Sequence, residues 1–320
     1  MTGAPARRSL GRCGLTVPVL GFGASRIVDA TPEDATATVH AALAHGMDHL
    51  DTAPFYGLGE SERRTGRALA SAPAPFTLST KVGRLIRADA SGTPQSVFDY
   101  SYDGAQRSLD ESLTRLARTS VDMAILHDVS RRWHGARTDA VFDAALAGAY
   151  RALLRWREQG VLRAIGIGIN DCAIAERALA EADFDFIMLA GRATLLDQEG
   201  FERVLPAAQA RGVGIIVAAP FNSGILARGS RSGATFFSQP PPPEILERTA
   251  RIEAVCVCHG VPLRAAALQL PLRSPAVGCV LAGYRSVAEV QDNLALAARP
   301  IPDAFWQELR AAGQLAASVP

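Results

Sequence analysis

Asp51, Tyr56, Lys81, His127 and Asn170 supply a carboxylate, a phenol, an ammonium, an imidazole and a carboxamide, each at or just beyond the end of a strand-like stretch. A phenol with an ordinary pKa near ~10 is a poor acid or base at neutral pH. An ammonium beside it stabilises the phenolate and lowers that pKa, and a carboxylate behind the ammonium holds it charged and in place. A nearby imidazole can hydrogen-bond a reacting oxygen and orient it. Such a set suits proton transfer to or from an alcohol or carbonyl oxygen while a hydride moves at the adjacent carbon. Taken singly, each residue has a plainer reading: Asp51 as a helix cap, Tyr56 as a loop aromatic, His127 as a satisfied strand-end polar group. Composition singles out the lysine. Of 33 basic residues, 32 are arginine and Lys81 is the only lysine. Arginine serves wherever a positive charge suffices, so a retained lysine marks a position that needs a compact, tunable cation.

The elements that must position these side chains alternate along the chain. Short apolar runs at Val17–Gly23, Met47–Ala53, Phe76–Val82, Val121–His127, Val161–Asn170, Phe184–Ala190, Val213–Pro220 and Val277–Gly283 read as eight strands. Each is followed by a helix-like stretch: Ala35–Ala44, Ser61–Ala70, Gly104–Ala117, Ala140–Gln159, Ala173–Ala180, Phe201–Ala210, Glu244–His259 with Leu263–Pro271, and Val287–Ala297. Thr31 is an N-cap for the first, with Pro32 in its first turn and Glu33 and Asp34 near its positive end. The strands are unbroken apolar runs rather than alternating ones, as expected of a parallel sheet covered on both faces. No Gly-rich dinucleotide fingerprint follows the first strand, which disfavours a doubly wound sheet. No linker divides the chain, and Gln239–Pro243 is a stiff loop within one repeat unit. The expected fold is an α/β (β/α)8 barrel, one domain over residues 1–320, with an N-terminal hairpin before Val17 closing its bottom. In such a barrel, function gathers at the C-terminal strand ends, where the five polar residues fall.

Composition excludes several classes. A net charge of +1 gives no electrostatic case for nucleic acid or an acidic partner. No run approaches the ~18 apolar residues of a membrane span, and the basic N-terminal stretch lacks the apolar segment of a signal peptide. The cysteines are Cys13, Cys172, Cys256, Cys258 and Cys279, an odd and scattered set. Cys256 and Cys258 lie two apart on a helical segment and point in different directions, so no metal site is expected. The reading is a reduced, soluble, cytoplasmic protein acting on a small molecule.

Several strings also resemble a family. DTAPFYGLGESERRTGRAL from Asp51, STK at Ser79–Lys81, LHD at Leu126–Asp128, RAIGIGIN at Arg163–Asn170 and AGYRS at Ala282–Ser286 are similar, in order, to the motifs of the aldo-keto reductases. The resemblance covers nearly the whole chain. It implies a catalytic tetrad of Asp51, Tyr56, Lys81 and His127 and an extended NAD or NADP held by strand ends. By the same carry-over, Gly23, Ala24 and Ser25 border the cofactor and Asn170 holds the nicotinamide carboxamide. Pro220, Asn222, Ser223, Gly224 and Leu226 line the pyrophosphate, while Gly283, Arg285, Glu289 and Asn293 hold the adenosine end. Two departures stand out: Ala218 or Ala219 sits where the family often has a Tyr stacking on nicotinamide, and Ala190, Gly191 and Arg192 replace a Gln at the sixth strand end. Glu289 near a ribose favours a free 2′-hydroxyl, whereas Arg285 suits a phosphate, so NAD is only slightly preferred.

FDYSYDGAQRSLDESL from Phe98, HDVSRRWHG from His127, AGRATLLDQ from Ala190 and PFNSGILA from Pro220 resemble one branch, the L-fucose dehydrogenase and D-threo-aldose 1-dehydrogenase group, with pyridoxal 4-dehydrogenase close by. The resemblance implies oxidation of a cyclic hemiacetal to a lactone, with Tyr56 taking the hydroxyl proton. Trp133, His134 and Arg192 are candidate substrate residues at the mouth, a Trp face suiting the C–H side of a sugar ring; a solvated loop is the plainer reading. The alternatives are pyridoxal oxidation to 4-pyridoxolactone, general aldehyde or ketone reduction, and a nucleotide-sensing partner subunit without turnover. The intact set of four argues against the last.

Overall fold

The computed structural model describes residues 4–72, 74–231 and 233–320. Twelve strands are found among them: β1 Arg7–Ser9, β2 Thr16–Pro18, β3 Leu20–Gly23, β4 His49–Asp51, β5 Thr77–Val82, β6 Arg84–Ala88, β7 Pro94–Phe98, β8 Met123–His127, β9 Ala164–Ile169, β10 Phe186–Ala190, β11 Gly214–Ala218 and β12 Val277–Gly283. Eight of these, in the order β3-β4-β5-β8-β9-β10-β11-β12, close into a parallel barrel wrapped by helices. This is the (β/α)8 architecture expected from the eight apolar runs. Thr31 caps the first helix, accepting a hydrogen bond from Asp34 N at 3.1 Å, with Pro32 at its first position.

Side chains divide by strand parity. Ala124 and Leu126 of β8 point outward into the large core shared with the helices. Met123 and Ile125 point inward and join Ala164, Phe186, Met188, Ile216, Cys279 and Leu281 in a second cluster inside the barrel. Leu10, Leu15 and Val17, from the β1–β2 hairpin, belong to the same inner cluster, so the hairpin plugs the lower end. Gly11 makes this plug possible. Its φ is +56°, and a Cβ there would lie 2.3 Å from Gly214 N.

The run Val17–Gly23 is two strands rather than one. Thr16–Pro18 pairs antiparallel with β1, and the chain changes partner at Val19, whose carbonyl accepts from Val280 N as the barrel begins. Between Val82 and Gly104, to which the sequence pattern assigns neither strand nor helix, lies the β6–β7 hairpin, with Arg84 opposite Phe98. The single helix expected over Ala140–Gln159 is broken at Gly148, giving Thr138–Ala147 and Ala149–Glu158. Gly148 is where the helix pair abuts another segment: a Cβ would lie 2.4 Å from Tyr100 O. A further helix, Asp303–Ala311, follows the last barrel unit. No single helix among the described residues is long and apolar enough to cross a membrane.

Gly66 offers a test of this packing. It lies inside the helix Glu60–Ala70, where Ala would ordinarily stabilise by up to ~1 kcal/mol. Here a Cβ would come 2.2 Å from the Leu116 carbonyl oxygen of the neighbouring helix. Gly66→Ala is therefore expected to destabilise by roughly 1–3 kcal/mol, read as a lowered denaturation midpoint. A rise would show that the helices can part without cost.

Candidate active site

Register places the polar residues together. Asp51 of β4 pairs with Ser79 of β5, and Lys81 stands two residues further along the same inward face. Lys81 is 1% exposed. Its Nζ donates to Asp51 Oδ2 at 2.5 Å and to Thr52 O at 2.8 Å, while Ser79 Oγ donates to Asp51 Oδ1 at 2.8 Å. Burial alone would lower the lysine pKa, but Asp51, and then Tyr56, outweigh it, so the ammonium is held above its usual range. Nζ lies 5.0 Å from the centroid of the Tyr56 ring. The Tyr56 ring in turn meets His127 nearly perpendicularly, centroids 6.1 Å apart.

The phenol departs from expectation. Burial pushes the Tyr56 pKa up, and Lys81 pulls it down without reversing the shift. The ammonium therefore offsets a desolvation cost rather than producing an unusually acidic phenol. At neutral pH, Tyr56 is a proton-bearing group.

His127 is buried, and burial lowers its pKa to about 4. Its backbone oxygen accepts from Tyr100 Oη at 2.8 Å. Its Nδ1 has no hydrogen-bond partner, and its Nε2 faces Asp128 Oδ2 at 3.4 Å. A carboxylate there favours the neutral tautomer with the proton on Nε2. Asp128 itself is clamped by Arg84, whose Nη1 donates to Oδ2 at 2.5 Å and whose Nε donates to Ser96 Oγ at 3.0 Å. The Arg84 guanidinium lies 3.5, 4.6 and 4.5 Å from the ring centroids of Phe55, Phe98 and Trp133. Three separate loops at the barrel mouth thus converge on one cation.

Asp51 and Tyr56 also border a groove of about 970 Å³ running across the strand ends of β3, β10, β11 and β12. Of the residues expected to hold a cofactor, Gly23, Ser25, Pro220, Ser223, Gly224, Gly283, Arg285, Glu289 and Asn293 line it. Ala24 and Leu226 do not; both are wholly buried in the core between barrel and helices. Asn222 is also turned inward, its amide spent on Thr194 Oγ1 at 2.6 Å and Gly191 O at 3.1 Å. Asn170 is not among the lining residues either, and its carbonyl accepts from Arg192 Nε at 2.8 Å. Arg26, Arg228 and Arg264 line the groove and were not singled out, being three among 32 arginines.

The groove suits a dinucleotide chemically. Gly224, at φ +114°, has no atom within 4 Å of a Cβ position, which leaves bare backbone facing the groove. Around it stand hydroxyl donors (Ser25, Ser223) and arginines for phosphate oxygens, with the Glu289 carboxylate for a ribose hydroxyl. Small residues, Ala190 and Ala218, line it together with Tyr56. Of the three candidate substrate residues, Trp133 is 38% exposed at the mouth. His134 packs against Phe98 and its Nε2 lies 3.2 Å from Tyr100 Oη, while Arg192 is tied to Asp197 at 2.8 Å and stacks on Phe237.

A second buried histidine, His49, lies two residues before Asp51 on the same face, with neither ring nitrogen hydrogen-bonded and a pKa lowered to about 4 by burial. Both histidines fold neutral and would protonate near 6.5 when unfolded. Between those values the unfolded chain binds more protons, so stability is full above pH 6.5 and is lost as pH falls toward 4. The expected slope is on the order of 1.4 kcal/mol per pH unit per histidine. Urea midpoints measured from pH 7 to 4.5 check this, and His49→Gln should flatten the slope.

Comparison with known proteins gives three results. The family model described as Aldo/keto reductase family matches residues 19–314. The chain is 38% identical to pyridoxal 4-dehydrogenase of Microbacterium luteolum, over 97% of this chain and 98% of that one. It is 39% identical to D-threo-aldose 1-dehydrogenase of a Pseudomonas species, over 92% and 94%. Among solved structures, an aldo-keto reductase from Bacillus halodurans in its holo form superposes with a TM-score of 0.78 at 24% identity, over 99% of this chain and 98% of that one.

Proposed function

Because the chain belongs to the aldo/keto reductase family, we propose that it is an NAD(P)-dependent oxidoreductase that oxidises the anomeric hydroxyl of an aldose, of L-fucose or D-threo type, to the lactone. The observation that carries this reading is the buried Lys81–Asp51 pair set against Tyr56 and His127 at the open end of the barrel. The relative named for D-threo-aldoses supports the substrate class.

A nicotinamide bound in the groove would supply the hydride acceptor. The remaining work falls to the chain's own side chains. Tyr56, as phenolate, accepts the anomeric hydroxyl proton as the C–O bond becomes a carbonyl and the C–H electron pair leaves as hydride. Lys81 stabilises the phenolate, and Asp51 keeps Lys81 charged and aimed. Neutral His127 holds the reacting oxygen through Nε2. Since burial raises the Tyr56 pKa, oxidation is expected to accelerate with rising pH into the alkaline range. Carbonyl reduction, which needs the phenol, is expected to slow over the same range. Tyr56→Phe should lower kcat by about 10²–10⁴ while leaving NAD+ affinity, measured by fluorescence titration, little changed. A variant with near-normal turnover overturns the role of Tyr56.

For the cofactor, NAD is favoured over NADP. Glu289 accepts from Arg285 N, Nε and Nη2 at 2.8, 3.0 and 2.5 Å, so the arginine suited to a 2′-phosphate is already committed to a carboxylate. Glu289→Gln frees Arg285 and should shift the NADP+/NAD+ ratio of kcat/KM upward by about tenfold, the equivalent of one ~1.4 kcal/mol phosphate contact. An unchanged ratio would show that the adenosine end is read elsewhere.

Pyridoxal oxidation is the second reading, favoured by the pyridoxal 4-dehydrogenase relative, whose alignment spans more of both chains than the aldose enzyme's does. A panel of aldoses and pyridoxal, run with NAD+ and with NADP+ and scored for lactone, separates the two.

A further inference from the structure

Asp128 stands at the barrel mouth beside the proposed catalytic groups. It follows His127 directly, yet its backbone adopts φ +62°, a left-handed conformation that Asp and Asn tolerate better than most residues. That conformation turns its carboxylate back toward the reacting groups, with Oδ2 3.4 Å from His127 Nε2. Its charge also opposes ionisation of Tyr56, a further sign of proximity. Oδ2 is secured by Arg84, while Oδ1 accepts no hydrogen bond. The clamp is rigid: the Arg84 side chain is 3% exposed, hydrogen-bonded to Ser96 and packed against Phe55, Phe98 and Trp133. The Asp128 side chain remains 16% exposed.

A buried arginine fixed on three sides holds this carboxylate in one orientation. With Oδ2 held by Arg84 and near His127, Oδ1 is the carboxylate's free acceptor atom. None of the four proposed catalytic groups offers such an acceptor: Lys81 only donates, Asp51 is saturated by Lys81 and Ser79, and the proposed reaction commits Tyr56 and His127 to the reacting oxygen. We propose that Asp128 is a specificity-determining residue, whose Oδ1 accepts a hydrogen bond from a substrate hydroxyl on the carbon next to the reacting one. Arg84 is its positioning residue. The assignment rests on the proposed reading of the site as one that acts on an alcohol or carbonyl, and it adds that the preferred substrates carry a neighbouring hydroxyl.

The test compares substrates that differ only in that hydroxyl. One pair is an aldose and its 2-deoxy counterpart, oxidised with NAD+; the other is lactaldehyde and propanal, reduced with NADH. The wild-type protein is expected to favour the hydroxylated member of each pair in kcat/KM. Asp128→Asn, which tolerates the positive φ, removes the charge and should cut that preference by at least ~10-fold, the usual span between charged and neutral acceptors. The same variant leaves Arg84 buried without its counter-ion, so a double variant, Arg84→Met with Asp128→Asn, keeps the test valid if the single one unfolds. It should show the same loss of preference with a normal melting profile. If neither variant changes the preference in either pair, or if both members of each pair lose rate equally, the assignment is wrong. If no aldose is oxidised but the lactaldehyde preference is present and collapses in the variants, the aldose reading fails and the role of Asp128 stands.

Discussion

The ion pair between Lys81 and Asp51 is the constraint around which the rest of the molecule is arranged. Both side chains are almost wholly out of water, and removing a partner from such a pair costs about 3–5 kcal/mol because the other charge is left buried alone. It is tolerable only with full hydrogen bonding, which Ser79 and the Thr52 carbonyl complete. That requires β4 and β5 to be adjacent, parallel and in one register. Adjacency of this kind is what a closed barrel enforces, since a slip by one residue would turn Lys81 outward into the helix layer. The apolar interior beneath and the hairpin plug below it keep solvent from the lower side of the pair.

Above the pair, the mouth is split by the strand order. One half, from β10 through β12 to β3, is a long groove with small residues, bare backbone and arginines. The other half, carried by β4, β5 and β8, holds the titrating groups and the aromatic-clad Arg84. The two halves meet at Asp51 and Tyr56, which belong to both. Such a layout lets a long ligand and a small one approach the same phenol from different sides.

Much of this was legible from residue order alone. Eight apolar runs with helices between them specify the barrel, and the strand ends specify where polar groups converge. What could not be read has physical reasons. Val17–Gly23 is one apolar run, and only the change of hydrogen-bond partner at Val19 divides it. The β6–β7 hairpin carries too many polar residues to register as strand; its order comes from the cross-strand pairing, which begins with Arg84 opposite Phe98. Gly148 breaks a helix because a neighbouring backbone needs the space, a fact of tertiary contact. In the site, a family resemblance assigns a position without saying whether backbone or side chain is in play, so Asn222 and Leu226 fall behind the groove wall. Arg84 and Asp128 escaped notice for another reason: one more arginine in an arginine-rich chain carries no signal, and an aspartate beside a histidine becomes distinctive only through its left-handed backbone. For Tyr56, a motif shows the neighbouring cation but not the burial that outweighs it.

The burial of the lone lysine has a consequence for handling the protein. A surface built with arginine offers amine-directed reagents no side-chain target, since the only one is sealed between Asp51 and the Thr52 carbonyl at 1% exposure. An acylating label or a lysine-specific protease would therefore meet that amine only in molecules whose barrel has opened. Modification at this one position reports the state of the active centre and the integrity of the fold in the same signal.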